Sequence, residues 1–334
     1  MSSLYPLRFE PVLKRYLWGG RRLHTVLGKS LPPGDDYAES WEIADHPAGQ
    51  SVVSAGSLKG ATLGELVANH AEELLGKHAS TAARTGRFPL LFKLLDAQKV
   101  LSVQVHPTDA AAAKLTPPDL GKTEAWVVLH AEPGSVVYAG IKGGFDRATV
   151  ERELKSGTVE LCLHKFEPQA GDCLFIPAGV VHALGAGLVI AEIQQSSDTT
   201  FRLYDWKRVG ADGQPRPLHI DQSLAAINFD HGPVQPQKPK NTPHSDGTAQ
   251  IEELVACEKF VLERWQIHAP SKIGGDDRCY LICVLEGEIS ISHDPCQKPL
   301  ARGQSSLIPA SSPALLSPQS KATVLVAYLP DGPN

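Results

Sequence analysis

No apolar run in the 334-residue chain approaches the ~20 residues that a membrane helix requires. The N-terminal stretch MSSLYPLRFEPVLKRY lacks the long apolar core of a secretory signal, so a cytoplasmic protein is expected. Basic residues do not cluster and the net charge is −5, which leaves nucleic-acid binding without support. No CxxC pair occurs. The cysteines at 162, 173, 257, 279, 283 and 296 sit mostly within apolar strand-like runs, and buried, reduced thiols are expected there. Hydrophobic content of 42% and charged content of 21% are ordinary for a soluble globular chain. The length points to roughly two domains. The 26 prolines and 29 glycines punctuate many short apolar runs, the pattern of an all-β sandwich or barrel with a minority of helix.

One run is organised for chemistry. Residues 101 to 106, LSVQVH, alternate strictly: Leu101, Val103 and Val105 fall on one strand face, and Ser102, Gln104 and His106 on the other. An amide oxygen and an imidazole two residues apart can aim at one point. Pro107 ends the strand, having no N–H for a ladder. Glu124 follows in GKTEAW and shares a strand face with Trp126. His182 arrives after a Pro/Gly turn. Two imidazoles, one carboxylate and one amide oxygen suit a borderline cation, with Zn²⁺, Fe²⁺ and Mn²⁺ open on donor chemistry alone. The absence of thiolate donors favours a catalytic over a structural site.

Around this group the chain reads mainly as strands. Residues 6–12, 40–44 and 50–53 are expected strands, and Trp18-Gly19-Gly20 a turn. His24 and His46 read as surface histidines in loops. Thr62-Leu63-Gly64-Glu65 is a capping-box pattern opening a helix to about Ala79, so residues 60–86 read as a small helical insertion. FPLLFKLL reads as a buried strand, where Lys93 either meets an anion or carries its amine to the surface. Short helices are expected at 109–115, 146–155 and 219–229, and strands at 161–166 and 188–195. The Pro-rich stretch 231–249 reads as a linker between a domain at 1–230 and another at 250–334. Gly303 to Ala314 repeats the frame of Gly171 to His182, with alanine in the histidine's place. The second domain is therefore expected to be a degenerate copy without metal ligands.

Gly171 to His182 resembles the second motif of the cupin superfamily, a jelly-roll barrel that holds a metal inside. Ala186 stands where that motif often ends in asparagine. The first cupin motif is altered, its H-x-H pair appearing as Gln104-Val105-His106. LSVQVHP, GKTEAW, PAGVVHALGAG and QQSSDTTFRLYDW, in that order, resemble the signature runs of type I mannose-6-phosphate isomerases, especially the short bacterial form. The resemblance covers roughly residues 4–230. It implies a mainly β fold of two cupin-type jelly-roll barrels with a small helical insertion. It implies one zinc per chain, at Gln104, His106, Glu124 and His182, and an active site that includes Lys122, Asp198 and Arg202. The implied reaction interconverts mannose 6-phosphate and fructose 6-phosphate by proton transfer between C1 and C2 through an enediol. Lys93 and Ser102 are further candidate phosphate contacts. The expected partner is a small phosphosugar, and the chain a monomer or weak homo-oligomer. Two alternatives stand beside this reading: a metal-dependent cupin oxygenase, and a sugar-binding cupin without turnover.

Overall fold

The computed structural model describes residues 4–210, 213–244 and 247–331. Mainly β structure forms two sandwiches whose broad sheets lie back to back. In the first broad sheet the strands run, in spatial order, Cys173–Ile176, Glu124–Ala131, Leu188–Gln195, Leu90–Ala97, Tyr37–Ile43 and Val12–Gly20. A second sheet faces it: Leu163–Phe166, Val137–Ile141, His182–Leu184, Val103–Val105 and Phe201–Tyr204. All of these pairings are antiparallel. Leu95, Trp126, Val128, Leu188 and Ile190 of the broad sheet meet Val137, Ala139 and Leu184 of the facing sheet in one apolar layer.

The run FPLLFKLL is apolar except for Lys93 because its strand is covered on both faces. Leu90, Phe92 and Leu94 face the second sandwich, while Leu95 and Ala97 face the interior of the first. The outer side of the facing sheet is covered by helices Arg147–Ser156 and Ile220–Ala226, which pack against Val103, Val105, Val181 and Leu203. The expected alternation therefore holds from Ser102 to His106, with its polar face turned into the protein; Leu101, ahead of the strand, instead joins the interior layer and the same side as Ser102. The apolar face already has a helical cover, so Gln104 and His106 point to the sandwich interior.

The second sandwich repeats the first strand for strand in its broad sheet, and its facing sheet is cut from five strands to three. Its broad sheet runs Ser305–Ile308, Tyr280–Glu286, Ala322–Tyr328, Val261–Ile267, Ala249–Ala256 and Lys240–Pro243. Its smaller sheet runs Ser271–Ile273, Ala314–Pro318 and Ile289–Ile291. Gly171 and Gly303 both hold positive φ, +96° and +75°, at the same point of the repeat. Register identifies what stands in place of Gln104, Glu124 and His182. His182 pairs with Gln104, and Ala314 with Ile273; Ile176 pairs with Glu124, and Ile308 with Tyr280. The second interior is filled by Ile273, Ile282, Ile308, Leu316 and Val324.

Two expectations need correction. Trp18-Gly19-Gly20 ends the strand Val12–Gly20 rather than forming a turn. Gly19 serves close backbone approach, since a Cβ there would sit 2.5 Å from the Ala38 nitrogen. The helix opened by Thr62 stops at Leu75, and a second helix, Ala79–Thr85, follows. Its capping box is present: Glu65 N donates to Thr62 Oγ1 at 3.1 Å, and Thr62 N donates to Glu65 Oε2 at 2.7 Å. Leu63, Leu66, Leu74 and Leu75 of this insertion wedge into the apolar layer between the sandwiches. The stretch 231–249 carries the strand Lys240–Pro243 and a buried Val234, so it is fastened to both sandwiches.

Candidate metal centre and its cleft

The donors come from both sheets of the first sandwich. Gln104 lies on the strand Val103–Val105, and His106 follows its end. His182 begins the adjacent strand and is Gln104's cross-strand partner. Glu124 begins its strand in the broad sheet opposite. His106 Nε2 lies 3.5 Å from Glu124 Oε2, and His182 Nε2 lies 3.3 Å from Glu124 Oε1. The ligand atoms of the three all fall within 4.8 Å of one another, and all three residues are buried.

Donors held about 2.1 Å from a tetrahedral ion stand about 3.4 Å apart, so these separations fit a metal. The protonation pattern fits as well. His106 Nδ1 donates to the Thr199 carbonyl and His182 Nδ1 to the Val180 carbonyl, each at 2.9 Å. That fixes the tautomer and leaves both Nε2 lone pairs turned inward. Burial, helped by the Lys122 and His182 side chains, drives the pKa of His106 well below its ordinary value. Burial also takes that of His182 down to about 4. Both rings are thus neutral and able to ligate at neutral pH. Glu124 Oε1 and Oε2 face the two Nε2 lone pairs with no proton between them, a repulsion that a cation would relieve, and Lys122 Nζ brings a positive charge to 3.1 Å from Oε2. The Gln104 amide reaches the same place, its end 3.3 Å from His182 Nε2, and turning that amide over presents the oxygen.

A cleft of about 290 Å³ opens over this group. Its inner wall is a row of buried charges on the broad sheet. Glu192 pairs across the strands with both Lys93 and Trp126. Lys93 Nζ is 3.1 Å from Glu192 Oε1 and 3.6 Å from Glu39 Oε2. Lys122 Nζ lies 3.1 Å from Glu124 Oε2 and 3.2 Å from His106 Nε2. Of the two outcomes open for Lys93, the anion is the one realised. Burial pulls its pKa down, but the carboxylates of Glu192, Glu39, Asp198 and Glu124 together raise it further than burial lowers it. Burial and the charge of Glu124 raise the pKa of Glu192.

The outer wall carries the remaining candidates. Asp198 is exposed in the loop before the strand Phe201–Tyr204, and Arg202 lies on that strand opposite Gln104. Both line the cleft, as do Ser102, Lys93 and Lys122. Ser102 Oγ donates to Gln104 Oε1 at 3.4 Å. The cleft thus gathers residues 93, 102, 104, 122, 182, 198 and 202, with His106 and Glu124 touching Lys122 beside it. Sequence reading missed five lining residues: Glu39, Glu192, Arg216 and the mouth pair Tyr16–Trp18, whose rings stack at 5.6 Å. Glu192 gave a signal, standing on the polar face of an otherwise apolar strand. Arg216 gave none, because it comes from a loop without periodicity. His46, expected at the surface, is half-buried; burial lowers its pKa while Asp198 opposes the shift.

A family described as phosphomannose isomerase type I, catalytic domain, matches residues 7–122, and the mannose-6-phosphate isomerase cupin domain matches residues 250–325. The chain is 35% identical over 313 residues to mannose-6-phosphate isomerase ManA of Bacillus subtilis, covering 91% of this chain and 93% of that one. It is 36% identical over 307 residues to mannose-6-phosphate isomerase of Streptococcus mutans, covering 91% and 92%. The crystal structure of the mannose 6-phosphate isomerase from Bacillus subtilis superposes with a TM-score of 0.87 at 30% identity, over 98% of this chain and 100% of that one. These likenesses run through both sandwiches, so the chain belongs to the type I mannose-6-phosphate isomerase family.

Proposed function

We propose that the protein is a zinc-dependent aldose–ketose isomerase interconverting mannose 6-phosphate and fructose 6-phosphate. The observation that carries this reading is the convergence of two neutral imidazoles and a buried carboxylate beneath an open cleft with guanidiniums on its outer wall. His106, Glu124 and His182, with the Gln104 amide oxygen, would hold the ion. Together they bring one negative charge, leaving about +1 and room for substrate oxygens. A divalent ion bound there supplies Lewis acidity toward the C1 and C2 oxygens of the sugar.

The chain's own residues do the rest. One proton leaves C2 and one is delivered to C1, turning an aldose into a ketose through an enediol. Asp198, exposed in the cleft, is placed to carry that proton. Lys122 holds a substrate oxygen beside the ligands. Arg202, whose planar fork suits an oxyanion or a phosphate, faces the sugar's charged end, with Ser102 and Lys93 as further contacts. The division at 1–230 and 250–334 assigns catalysis to the first sandwich, with the second covering its broad sheet. A cytoplasmic location suits a phosphosugar substrate and free cysteines.

The test is a coupled assay for mannose 6-phosphate conversion by zinc-loaded protein, repeated after chelation and after zinc restoration. Activity that disappears and returns supports the reading. No conversion by fully zinc-loaded protein overturns it.

A further inference from the structure

Past the strand that carries Arg202, the chain makes a tight turn at Asp205-Trp206-Lys207-Arg208, closed by Arg208 N donating to Asp205 O at 3.0 Å. Trp206 and Lys207 both hold positive φ, +56° and +57°. Such turns normally use glycine or asparagine, and side chains as large as these are strained there. The conformation is held from outside. Trp206 Nε1 donates to the Leu101 carbonyl at 2.6 Å, and its ring packs 5.4 Å from those of Tyr138 and Tyr204.

The strained turn fixes one buried carboxylate. Asp205 is 5% exposed and takes hydrogen bonds from two arginines. Arg216 reaches it with a two-pronged fork, Nε to Oδ2 at 2.8 Å and Nη2 to Oδ1 at 2.6 Å. Arg208 donates to the same Oδ1 and also to the Val100 carbonyl. Arg202 donates from Nη1 to the Pro217 carbonyl at 2.8 Å, which ties it to the segment bearing Arg216. Three guanidiniums thus gather around one carboxylate, which bonds two of them, and the group carries an excess of two positive charges. Arg202 and Arg216 both line the cleft. Burial lowers the pKa of Arg202, and the neighbouring charges of Arg216 and Arg208 lower it further while Asp205 opposes them. A phosphate monoester, at about −1.5 to −2, matches that excess.

We infer that Arg216, held by its fork to Asp205, is a second guanidinium that receives the phosphate of the substrate, and that Asp205 is the positioning residue that aims it. This deepens the proposed function and rests on it. Arg202 and Arg216 together present planar donors from two directions, so the site grips a tetrahedral dianion and disfavours an uncharged hydroxymethyl group.

The test compares wild type with Arg216→Ala, Arg216→Lys, Asp205→Asn and Asp205→Glu. Readouts are kcat and KM for mannose 6-phosphate, and calorimetric binding of inorganic phosphate to zinc-loaded protein. Arg216→Ala is expected to raise KM and weaken phosphate binding by about 10- to 100-fold, with kcat changed far less. Lysine at 216 rescues little, because it lacks the fork. Asp205→Asn shifts KM in the same direction and Asp205→Glu recovers part of it, whereas a merely structural role would lower the melting temperature and kcat instead. Unchanged KM and unchanged phosphate binding in Arg216→Ala overturn the inference. Absence of turnover in wild type overturns the isomerase reading alone, since phosphate binding still decides the role of Arg216.

Discussion

Replacing Lys93 by methionine keeps the side chain's reach and removes its charge. The ammonium is 3% exposed and lies 3.1 Å from Glu192 and 3.6 Å from Glu39. At an effective dielectric of about 20, each contact carries about 5 kcal/mol of attraction, partly offset by the cost of taking the ammonium out of water. Removing one partner from a buried ion pair costs about 3–5 kcal/mol, because the other charge is left uncompensated. That range is the expected loss of stability at about pH 8. The loss should carry a pH signature. Burial and Glu124 already raise the pKa of Glu192 while Lys93 holds it down, so without Lys93 it rises further. A carboxyl whose pKa is higher folded than unfolded stabilises the fold most below the unfolded value. That contribution is lost as pH rises through the folded value. The deficit of Lys93→Met should therefore shrink as pH falls from about 8 toward about 5, by up to ~1.4 kcal/mol per unit for one proton. Paired urea melts of wild type and variant in chelator, at several pH values, measure it. Adding Glu192→Gln should restore most of the loss, since both partners of the pair are then neutral. A deficit below about 1 kcal/mol at pH 8, or one that grows as pH falls, refutes the reasoning.

Thr62→Ala removes the side chain that caps the insertion helix and should cost about 1 kcal/mol, seen as a lower urea midpoint with isomerase activity unchanged. Ala314→His restores the missing imidazole of the second sandwich, but Ile273 and Tyr280 occupy the places of Gln104 and Glu124. Zinc titration should still saturate at one ion per chain, and a second equivalent would contradict the register argument. Glu124→Gln keeps the shape of the site and leaves no anionic ligand, so zinc content after dialysis should fall at least ten-fold; retention at the wild-type level would remove Glu124 from the site.

The alternation of LSVQVH, the capping box at Thr62 and the repeated Gly-to-Pro frame at 171 and 303 are local patterns, and each could be read in one dimension. The candidate ligands were legible too, Gln104 and His106 by strand periodicity and donor chemistry, and the set completed by Glu124 and His182 through the resemblance of GKTEAW and PAGVVHALGAG to signature runs. What the sequence could not decide was which side of a strand becomes the interior. The polar face of residues 102–106 turns inward only because two helices from elsewhere cover its apolar face. The partner of Lys93 was equally hidden. Glu39 and Glu192 lie 54 residues before it and 99 after it, and only the order of strands in the broad sheet sets them beside it. Arg216 depends on a strained turn and a buried carboxylate, neither of which leaves a periodic trace. The sequence by itself determined most element types, the duplication and the chemistry of the donor set, since these depend on near neighbours. Tertiary structure alone decided the burial of charges and the assembly of the cleft, because electrostatic pairing depends on distances through space that the chain sets only once it is folded.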